Sequence, residues 1–303
     1  MPEAEQYTVL VARFPHCCAE DPDTTDWMIT TILQMTDDPR IKEFLRYRKD
    51  DTPITMGRNH CLDAAIRSNI DFLLMIDSDM SPDCNLESNK ATEAVEPAAK
   101  PFWSTSFDFA IQKRKEGNPC VVGAPYLGPS PINNVYVFQW ITATDKHDSQ
   151  PSMSLAQFGR EEAARLHGIQ EVAALPTGVI LIDMQAIHKF AEHHDPPFFY
   201  YEYDDDHQTK KASTEDVTFT RDLSLAGIPQ YCNWDAWAGH WKRELVSGPP
   251  KILRAAMLSE RFRKAVLRDA QKNDRTTLVE AKDGRIVPVE GNGKSLTDKR
   301  LIR

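Results

Sequence analysis

The apolar residues of this chain fall into short runs that alternate with segments of helical periodicity over the first two thirds of the sequence. Short apolar runs bounded by turn residues are typical of strands, and apolar positions three and four apart are typical of amphipathic helices. The pattern predicts strands over residues 7–12, 44–47, 72–76, 121–124, 135–140 and 179–182. It predicts helices over residues 25–35, 57–68, 102–115, 184–191 and 215–226. This alternation indicates an α/β fold in which helices flank a sheet.

The length and composition indicate a folded protein with one large domain and an appendage. The chain has 303 residues, of which 41% are hydrophobic and 27% charged, close to the averages of soluble globular proteins. Beyond about Lys242, basic residues outnumber acidic ones, as expected of a separate segment. The sequence therefore predicts an α/β domain over residues 1–246 and a basic, helical C-terminal extension over residues 247–303.

Charge and hydropathy argue against several classes of function. The formal net charge of −9 disfavours binding to a nucleic-acid backbone, which requires a basic face. No apolar stretch reaches the roughly 20 residues that span a bilayer, and the polar start of the chain does not resemble a secretory signal. The six cysteines lack the spacing of zinc sites or disulfide scaffolds. These observations predict a cytoplasmic protein with reduced cysteines.

The first candidate for chemistry is the triplet Asp77-Ser78-Asp79. Asp-x-Asp triplets also occur elsewhere in the chain, so the spacing alone says little. This triplet, however, follows a fully apolar run, residues 72–76, and ligands of open α/β sheets bind at the carboxyl ends of strands. Two carboxylates separated by one residue on an extended chain can share a hard cation that bridges a diphosphate. The alternative is that these aspartates only end the strand and begin a turn.

The second candidate is the pair Glu215-Asp216 at the start of the last predicted helix. A carboxylate held rigidly at a helix start could accept the proton of an attacking hydroxyl. The alternative is structural: the pair follows Ser213, which could cap the helix, and acidic residues are favoured in a first turn.

The third candidate is His240, which stands among tryptophans and beside Gly239. A glycine at this point would let a ligand approach the backbone closely. An imidazole together with two carboxylates suits Mn²⁺, and Mg²⁺ less well. The alternative is a histidine that only packs against its aromatic neighbours.

These motifs occur in the order found in GT-A glycosyltransferases, and the chain resembles the family-2-like group of bacterial and phage enzymes. The matching segments are Gly57-Arg58-Asn59, residues 72–80, residues 175–182, Pro197-Phe198-Phe199, residues 215–219 and Gly239-His240. They extend over roughly residues 8–242 and leave the C-terminal extension unmatched. The resemblance implies a GT-A fold, a Rossmann-like mixed sheet with flanking helices. It also implies transfer of a sugar from a nucleotide-diphosphate sugar.

The resemblance further implies which residues hold the donor, a UDP- or GDP-sugar. The implied donor-binding residues are Arg58, Asn59, Asp77, Ser78 and Asp79. Asp77 and Asp79 would place a divalent ion, Mn²⁺ or Mg²⁺, on the donor diphosphate, and His240 would be a further metal ligand.

On the other side of the implied site, Thr177 and Gly178 would line the sugar or the acceptor. Asp216, next to Glu215, would be the catalytic base if the enzyme inverts the configuration. The nucleobase, the sugar, the acceptor and the stereochemistry are not specified by these motifs.

Two other functions remain open at this stage. A nucleotide-sugar pyrophosphorylase would share a related sheet and acidic metal ligands, but such enzymes carry a glycine-rich loop after the first strand. The chain has no glycine before Gly57. A non-catalytic sugar-nucleotide-binding protein could keep the same fold, although the carboxylates and the histidine of the site are all present.

The C-terminal extension is predicted to contain a basic helix after Pro249. Its apolar residues fall loosely on one side: Leu253, Met257, Leu258, Phe262 and Val266. Such a face can pack against the main domain. The alternatives are an assembly contact, as in an oligomer, or peripheral contact with a membrane.

Overall fold

The structure is a computed structural model that describes residues 5–15, 21–49, 53–84, 86, 100–128, 134–144, 151–204, 211–241, 277–280 and 286–289. The chain divides into two compact units, Met1–Lys242 and Arg243–Arg303. Of the second unit, the described part is an antiparallel hairpin. The basic helix predicted after Pro249, with its apolar residues from Leu253 to Val266, lies outside the described residues.

The described helices are α1 (Pro22–Asp37), α2 (Ile54–Arg67), α3 (Phe102–Lys115), α4 (Arg160–Ala163), α5 (Met184–Ala191) and α6 (Glu215–Leu225). The described strands of the first unit are β1 (Tyr7–Phe14), β2 (Ile41–Arg48), β3 (Phe72–Asp77), β4 (Met80–Ser81), β5 (Val121–Gly123), β6 (Phe138–Thr144), β7 (Pro151–Gln157), β8 (Ile169–Val172), β9 (Val179–Asp183), β10 (Glu202–Tyr203), β11 (Lys211–Ser213), β12 (Gln230–Asn233) and β13 (Gly239–His240). The hairpin of the second unit is formed by β14 (Thr277–Glu280) and β15 (Ile286–Val289).

A seven-stranded mixed sheet forms the centre of the first unit, in the order β2-β1-β3-β9-β5-β12-β8. Strands β2, β1 and β3 are parallel, as are β5 and β12. Strand β9 lies between β3 and β5 and is antiparallel to both. Strand β8 closes one side of the sheet, antiparallel to β12. The fold is therefore the mixed α/β class that the sequence predicts.

Helices cover both faces of this sheet. One core cluster joins one face of the strands to α2, α5 and α6, and the other joins the opposite face to α1 and α3. Residues 72–76 of β3 are completely buried, which explains why that strand is apolar without interruption. Among the described residues, no helix combines the length and the apolar character needed to cross a membrane.

Several predicted boundaries differ from the structure. Helix α1 begins three residues early because Pro22 occupies its first position and Asp21 caps it. The prediction that Ser213 caps α6 is wrong, since Ser213 ends β11 and Thr214 occupies the N-cap position. Helix α6 ends at Leu225, one residue before the predicted boundary, and Gly227 follows with a φ of 77°, a conformation that favours glycine.

Candidate functional site

The predicted acidic residues meet at the carboxyl end of the sheet, where the parallel strands finish. Asp77 is the last residue of β3, and Glu215 is the first residue of α6. The guanidinium of Arg58, on α2, donates to both carboxylate oxygens of Asp77 at 2.9 Å. It also donates to Oε1 of Glu215 at 2.8 Å. Only 3% of the Arg58 side chain is exposed, so one buried arginine joins three distant parts of the chain.

The guanidinium of Arg58 lies among the carboxylates of Asp77, Glu215 and Asp216, and Asp79 adds a fourth carboxylate near Asp77. Burial raises the pKa of Asp77, Arg58 lowers it, and the nearby carboxylates of Asp79 and Asp216 raise it again. Burial likewise raises the pKa of Glu215 against the lowering effect of Arg58. For Arg58, burial lowers the pKa, but the surrounding carboxylates raise it by more, so the guanidinium stays charged. An additional positive charge would therefore be stabilised at this position.

Asn59, the neighbour of Arg58, holds a loop. Its Nδ2 donates to the carbonyl of Phe199 at 2.8 Å. Its Oδ1 accepts from the backbone N–H groups of Phe198 and Phe199, both at 3.0 Å. The structure thus places Asn59 beside the predicted donor site, with its amide bound to the backbone of this loop.

A short ribbon brings His240 next to Asp79. Strand β13 pairs antiparallel with β4, with His240 opposite Met80. The N–H of Trp241 donates to the carbonyl of Asp79 at 2.8 Å. As a result, Nε2 of His240 lies 3.2 Å from Oδ2 of Asp79. The Asp79 side chain is 44% exposed and that of His240 is 14% exposed, so the carboxylate remains accessible to a ligand.

The imidazole of His240 is held from its other side as well. Nδ1 lies 3.4 Å from the carbonyl of Leu127, and the ring packs edge-on against Tyr126, with centroids 5.0 Å apart. Histidine ligands of metals commonly donate their second ring N–H to a carbonyl in this way. The arrangement turns Nε2 toward Asp79.

Thr177 and Gly178 lie directly before β9, at the same end of the sheet. The carbonyl of Gly178 accepts from the N–H of Asp77 at 2.9 Å. The side chain of Thr177 is fully buried, and its Oγ1 has no hydrogen-bond partner among the described residues. Gly178 therefore lies directly against Asp77, and Thr177 precedes it as a buried residue.

Ser78 and Asp216 complete the predicted set. The carbonyl of Ser78 accepts from the N–H of Asp21, which fixes the start of α1 against the triplet. Oδ1 of Asp216 accepts from the N–H of Val217 at 2.9 Å and from the hydroxyl of Thr214. Its carboxylate is thus oriented by the first turn of α6.

A cavity of about 770 Å³ adjoins the β4–β13 ribbon. His240 and Trp241 form part of its wall, together with residues of α1 such as Asp23 and Trp27. Small-molecule sites have volumes of this order. His240 therefore borders both the acidic cluster and a space large enough for a ligand.

The predicted metal ligands come together only in part. Asp79 and His240 are adjacent, whereas the carboxylate of Asp77 binds Arg58. Within the described part of the chain, no group of three His, Cys, Asp or Glu side chains is placed to hold a metal ion. The structure thus offers two neighbouring ligand atoms rather than the expected three.

Sequence reasoning missed Tyr126 and Leu127 as site residues. Both follow the predicted strand at residues 121–124, which ends at the same end of the sheet as β3. Loops after parallel strands gather at this end of the sheet. The position of these two residues after a strand could therefore have predicted that they lie near the site. Neither residue type suggests a ligand by itself.

Comparison with known proteins gives remote likenesses. No protein-family model matches the sequence, and no curated protein matches it. The crystal structure of A197 from STIV is similar with a TM-score of 0.44 and 16% identity, over 78% of this chain and 87% of that chain. The crystal structure of GalNAc-T7 with UDP, GalNAc and Mn²⁺ is similar with a TM-score of 0.38 and 7% identity, over 80% of this chain and 45% of that chain. The function has to be inferred from the side chains of the site itself.

Proposed function

We propose that this chain is a metal-dependent glycosyltransferase, which moves a sugar from a UDP- or GDP-linked donor to an acceptor whose identity is open. The observation that carries the proposal is the 3.2 Å approach of His240 Nε2 to Asp79 Oδ2. It occurs at the carboxyl end of the sheet, where ligands of such folds bind. The surplus of negative charge beside it, around Arg58, favours a cation at the same place.

The donor atoms of Asp79 and His240 fit Mn²⁺ or Mg²⁺. Ions that bind nucleotide phosphates often take only one or two protein ligands and complete their coordination with phosphate oxygens and water. A nitrogen ligand beside a carboxylate favours Mn²⁺. In this proposal Asp79 and His240 hold the ion, and Asp77 contributes negative charge while Arg58 fixes its position. When bound, the ion supplies the positive charge that stabilises a departing nucleotide diphosphate.

Asp216 is the residue proposed to accept the proton of the acceptor hydroxyl. Its carboxylate is oriented by Val217 and Thr214 at the rigid start of α6. A general base needs such fixed placement. The neighbouring Glu215 is less suited to this role because Arg58 binds its carboxylate.

The first test is a panel of nucleotide sugars with and without Mn²⁺, read out as thermal stabilisation of the protein. A cognate donor at about 100 times its Kd should stabilise the fold by about 2.7 kcal/mol, and only when Mn²⁺ is present. Stabilisation that does not depend on the ion would contradict the metal-dependent mechanism.

The second test is Asp79→Ala, assayed by hydrolysis and transfer of the donor that the panel identifies. We expect turnover to fall by about 100- to 1,000-fold or more, since an electrostatic contribution to the transition state is lost. Asp204→Ala is a matched control, because Asp204 also begins an Asp-x-Asp triplet in the sequence. Normal transfer by the Asp79 variant would rule out the proposed site.

The same preparation distinguishes the other functions. Release of pyrophosphate from a nucleoside triphosphate and a sugar phosphate would identify a nucleotidyltransferase instead. Binding of a nucleotide sugar without hydrolysis or transfer to any acceptor would identify a non-catalytic binding protein.

A further inference from the structure

Gly178 leaves room for an aromatic ring at the floor of the site. A Cβ atom at this position would lie 2.9 Å from Cε1 of Tyr126 and 3.0 Å from Sδ of Met80. Such distances are shorter than van der Waals contact allows. The phenol ring therefore rests directly on the glycine backbone, and any larger residue would displace it.

The Tyr126 ring also contacts the imidazole of His240. The two rings meet edge to face, with centroids 5.0 Å apart and an interplanar angle of 70°. A second edge contact, from Tyr136 at 5.5 Å, holds the phenol in turn. Tyr126 is 6% exposed, so its position is determined by these neighbours. The ring thus connects the backbone of Gly178 to His240.

We propose that Tyr126 is the positioning residue for His240, and that position 178 must be a glycine for Tyr126 to reach the imidazole. The inference rests on the proposed function, in which His240 is a cation ligand. The carbonyl of Leu127 lies 3.4 Å from Nδ1, a long contact that restrains the imidazole at one atom. In this proposal the remaining freedom is a tilt of the ring. The packed phenol opposes that tilt and keeps Nε2 at Asp79.

Such positioning matters because metal ligands act only within about 0.5 Å of their productive positions. Loss of residues that orient a ligand typically lowers metal affinity by about 10- to 100-fold. The phenol hydroxyl is not needed for the ring contacts with His240 and Gly178. Tyr126→Phe should therefore preserve positioning, and Tyr126→Ala should abolish it.

The experiment measures two properties of each variant in the full-length chain. The first is Mn²⁺ affinity by calorimetry, in the presence of UDP or GDP. The second is the pair of ring-nitrogen NMR signals of His240 in the metal-free protein, which report whether Nε2 keeps its contact with Asp79 and Nδ1 its contact with Leu127. The variants are Tyr126→Phe, Tyr126→Ala and Gly178→Ala. Tyr231→Ala is the control, because Tyr231 forms a similar edge contact with Phe109 elsewhere on the sheet.

We expect Tyr126→Ala and Gly178→Ala to lower Mn²⁺ affinity by about 10- to 100-fold and to shift or broaden the His240 signals. Tyr126→Phe should retain the Mn²⁺ affinity and the His240 signals of the unaltered protein, and so should Tyr231→Ala. Because the two residues act through one contact, the double variant of Tyr126 and Gly178 should lose less than the sum of the single losses.

The outcomes separate this inference from the proposed function. If the unaltered protein binds Mn²⁺ and both variants bind it equally well, the inference is overturned and the proposed function stands. If the unaltered protein does not bind Mn²⁺, the proposed function fails, and the His240 signals still decide whether Tyr126 positions the ring. Unchanged signals in Tyr126→Ala would overturn the inference in either case. Should that variant not fold, Gly178→Ala applies the same test by displacing the ring.

Discussion

The two ends of the central sheet each contain an arginine that binds two acidic residues, yet the two clusters differ in charge. At the carboxyl end, Arg58 binds Asp77 and Glu215. At the amino end of β3, Arg114 binds Asp71 and Asp183, at 2.9 Å each. Both guanidinium groups lie over aromatic rings. The same structural device is thus used twice in one sheet.

The difference lies in what surrounds each arginine. At the amino end, Oδ2 of Asp71 accepts from the N–H of Thr8, and Oδ1 of Asp183 accepts from the N–H of Gln185, both at 2.9 Å. Backbone donors thus help Arg114 to satisfy its carboxylates. At the carboxyl end, the carboxylates of Asp79 and Asp216 lie close to Asp77 and raise its pKa, against the lowering effect of Arg58. A closed network indicates a structural role, and a charge surplus indicates a site for a cationic ligand.

The largest expected effect on stability is at the amino end. Arg114→Met leaves Asp183, which is 0% exposed, without its charged partner. Removing one partner of a buried ion pair costs about 3–5 kcal/mol. We expect urea unfolding to show a loss of this size, and Mn²⁺ not to restore it.

Lys113→Met is the control for this prediction, because Lys113 pairs with Glu116 at the surface of the same helix. A surface pair of this kind contributes about 1 kcal/mol or less. If Arg114→Met cost no more free energy of unfolding than this control, the amino-end cluster would not be a structural network.

The second prediction compares how Mn²⁺ affects the stability of variants at the two ends of the sheet. Arg58→Met should destabilise the metal-free protein by about 3 kcal/mol, since Asp77 and Glu215 lose their common partner. Mn²⁺ should then stabilise this variant more than it stabilises the unaltered protein, because the negative charge of the cluster is greater. Calorimetric unfolding across a Mn²⁺ titration measures both quantities. An equal response of the Arg58 and Arg114 variants to Mn²⁺ would remove the distinction between the two ends.

The sequence predicts much of the fold because its buried strands form recognisable apolar runs. Strands β3 and β9 are uninterrupted apolar runs, and the glycine after α6 marks its end. Strand β12 escapes prediction because two of its residues, Gln230 and Asn233, are polar although they are buried. Their amide groups donate hydrogen bonds: Nε2 of Gln230 donates to the carbonyls of Ala173 and Thr220, and Nδ2 of Asn233 donates to the hydroxyl of Thr105 at 2.8 Å. A polar residue with a partner distant in sequence looks like a loop residue when only local periodicity is considered.

The site is predictable in its residue types and less so in its pairings. Asp79 and His240 are singled out by their positions, and the structure brings them together. The sequence does not show whether Arg58 binds a phosphate or carboxylates. Its partner Glu215 is distant in sequence, so local patterns do not predict the pair. The position of β9 between β3 and β5 is also not predictable from local sequence patterns, because strand order depends on contacts between distant segments.

A third, smaller effect concerns the loop beside the carboxyl end. Asn59→Ala removes the groups that bind the backbone of Phe198 and Phe199. Leaving buried backbone groups without partners costs about 1–3 kcal/mol. Asn59→Asp keeps the acceptor for the two N–H groups and should lose less, as measured by urea unfolding. A negligible loss in both variants would mean that the loop does not depend on Asn59, and would leave its amide available to a donor.

Asp216→Asn should have the smallest effect on stability and yet cause a large loss of activity. Its side chain is partly exposed, and asparagine keeps the oxygen that accepts from Val217. We expect Asp216→Asn to change the free energy of unfolding by no more than about 0.5 kcal/mol. If Asp216 is the base, transfer should fall by about 100- to 10,000-fold while Mn²⁺-dependent donor binding is unchanged.

Asp222→Asn, on the same helix, is the control because Asp222 binds Arg221 and Tyr200 away from the cluster. Loss of donor binding in Asp216→Asn would place Asp216 with the cation-binding residues, whereas full transfer activity would exclude it as the base.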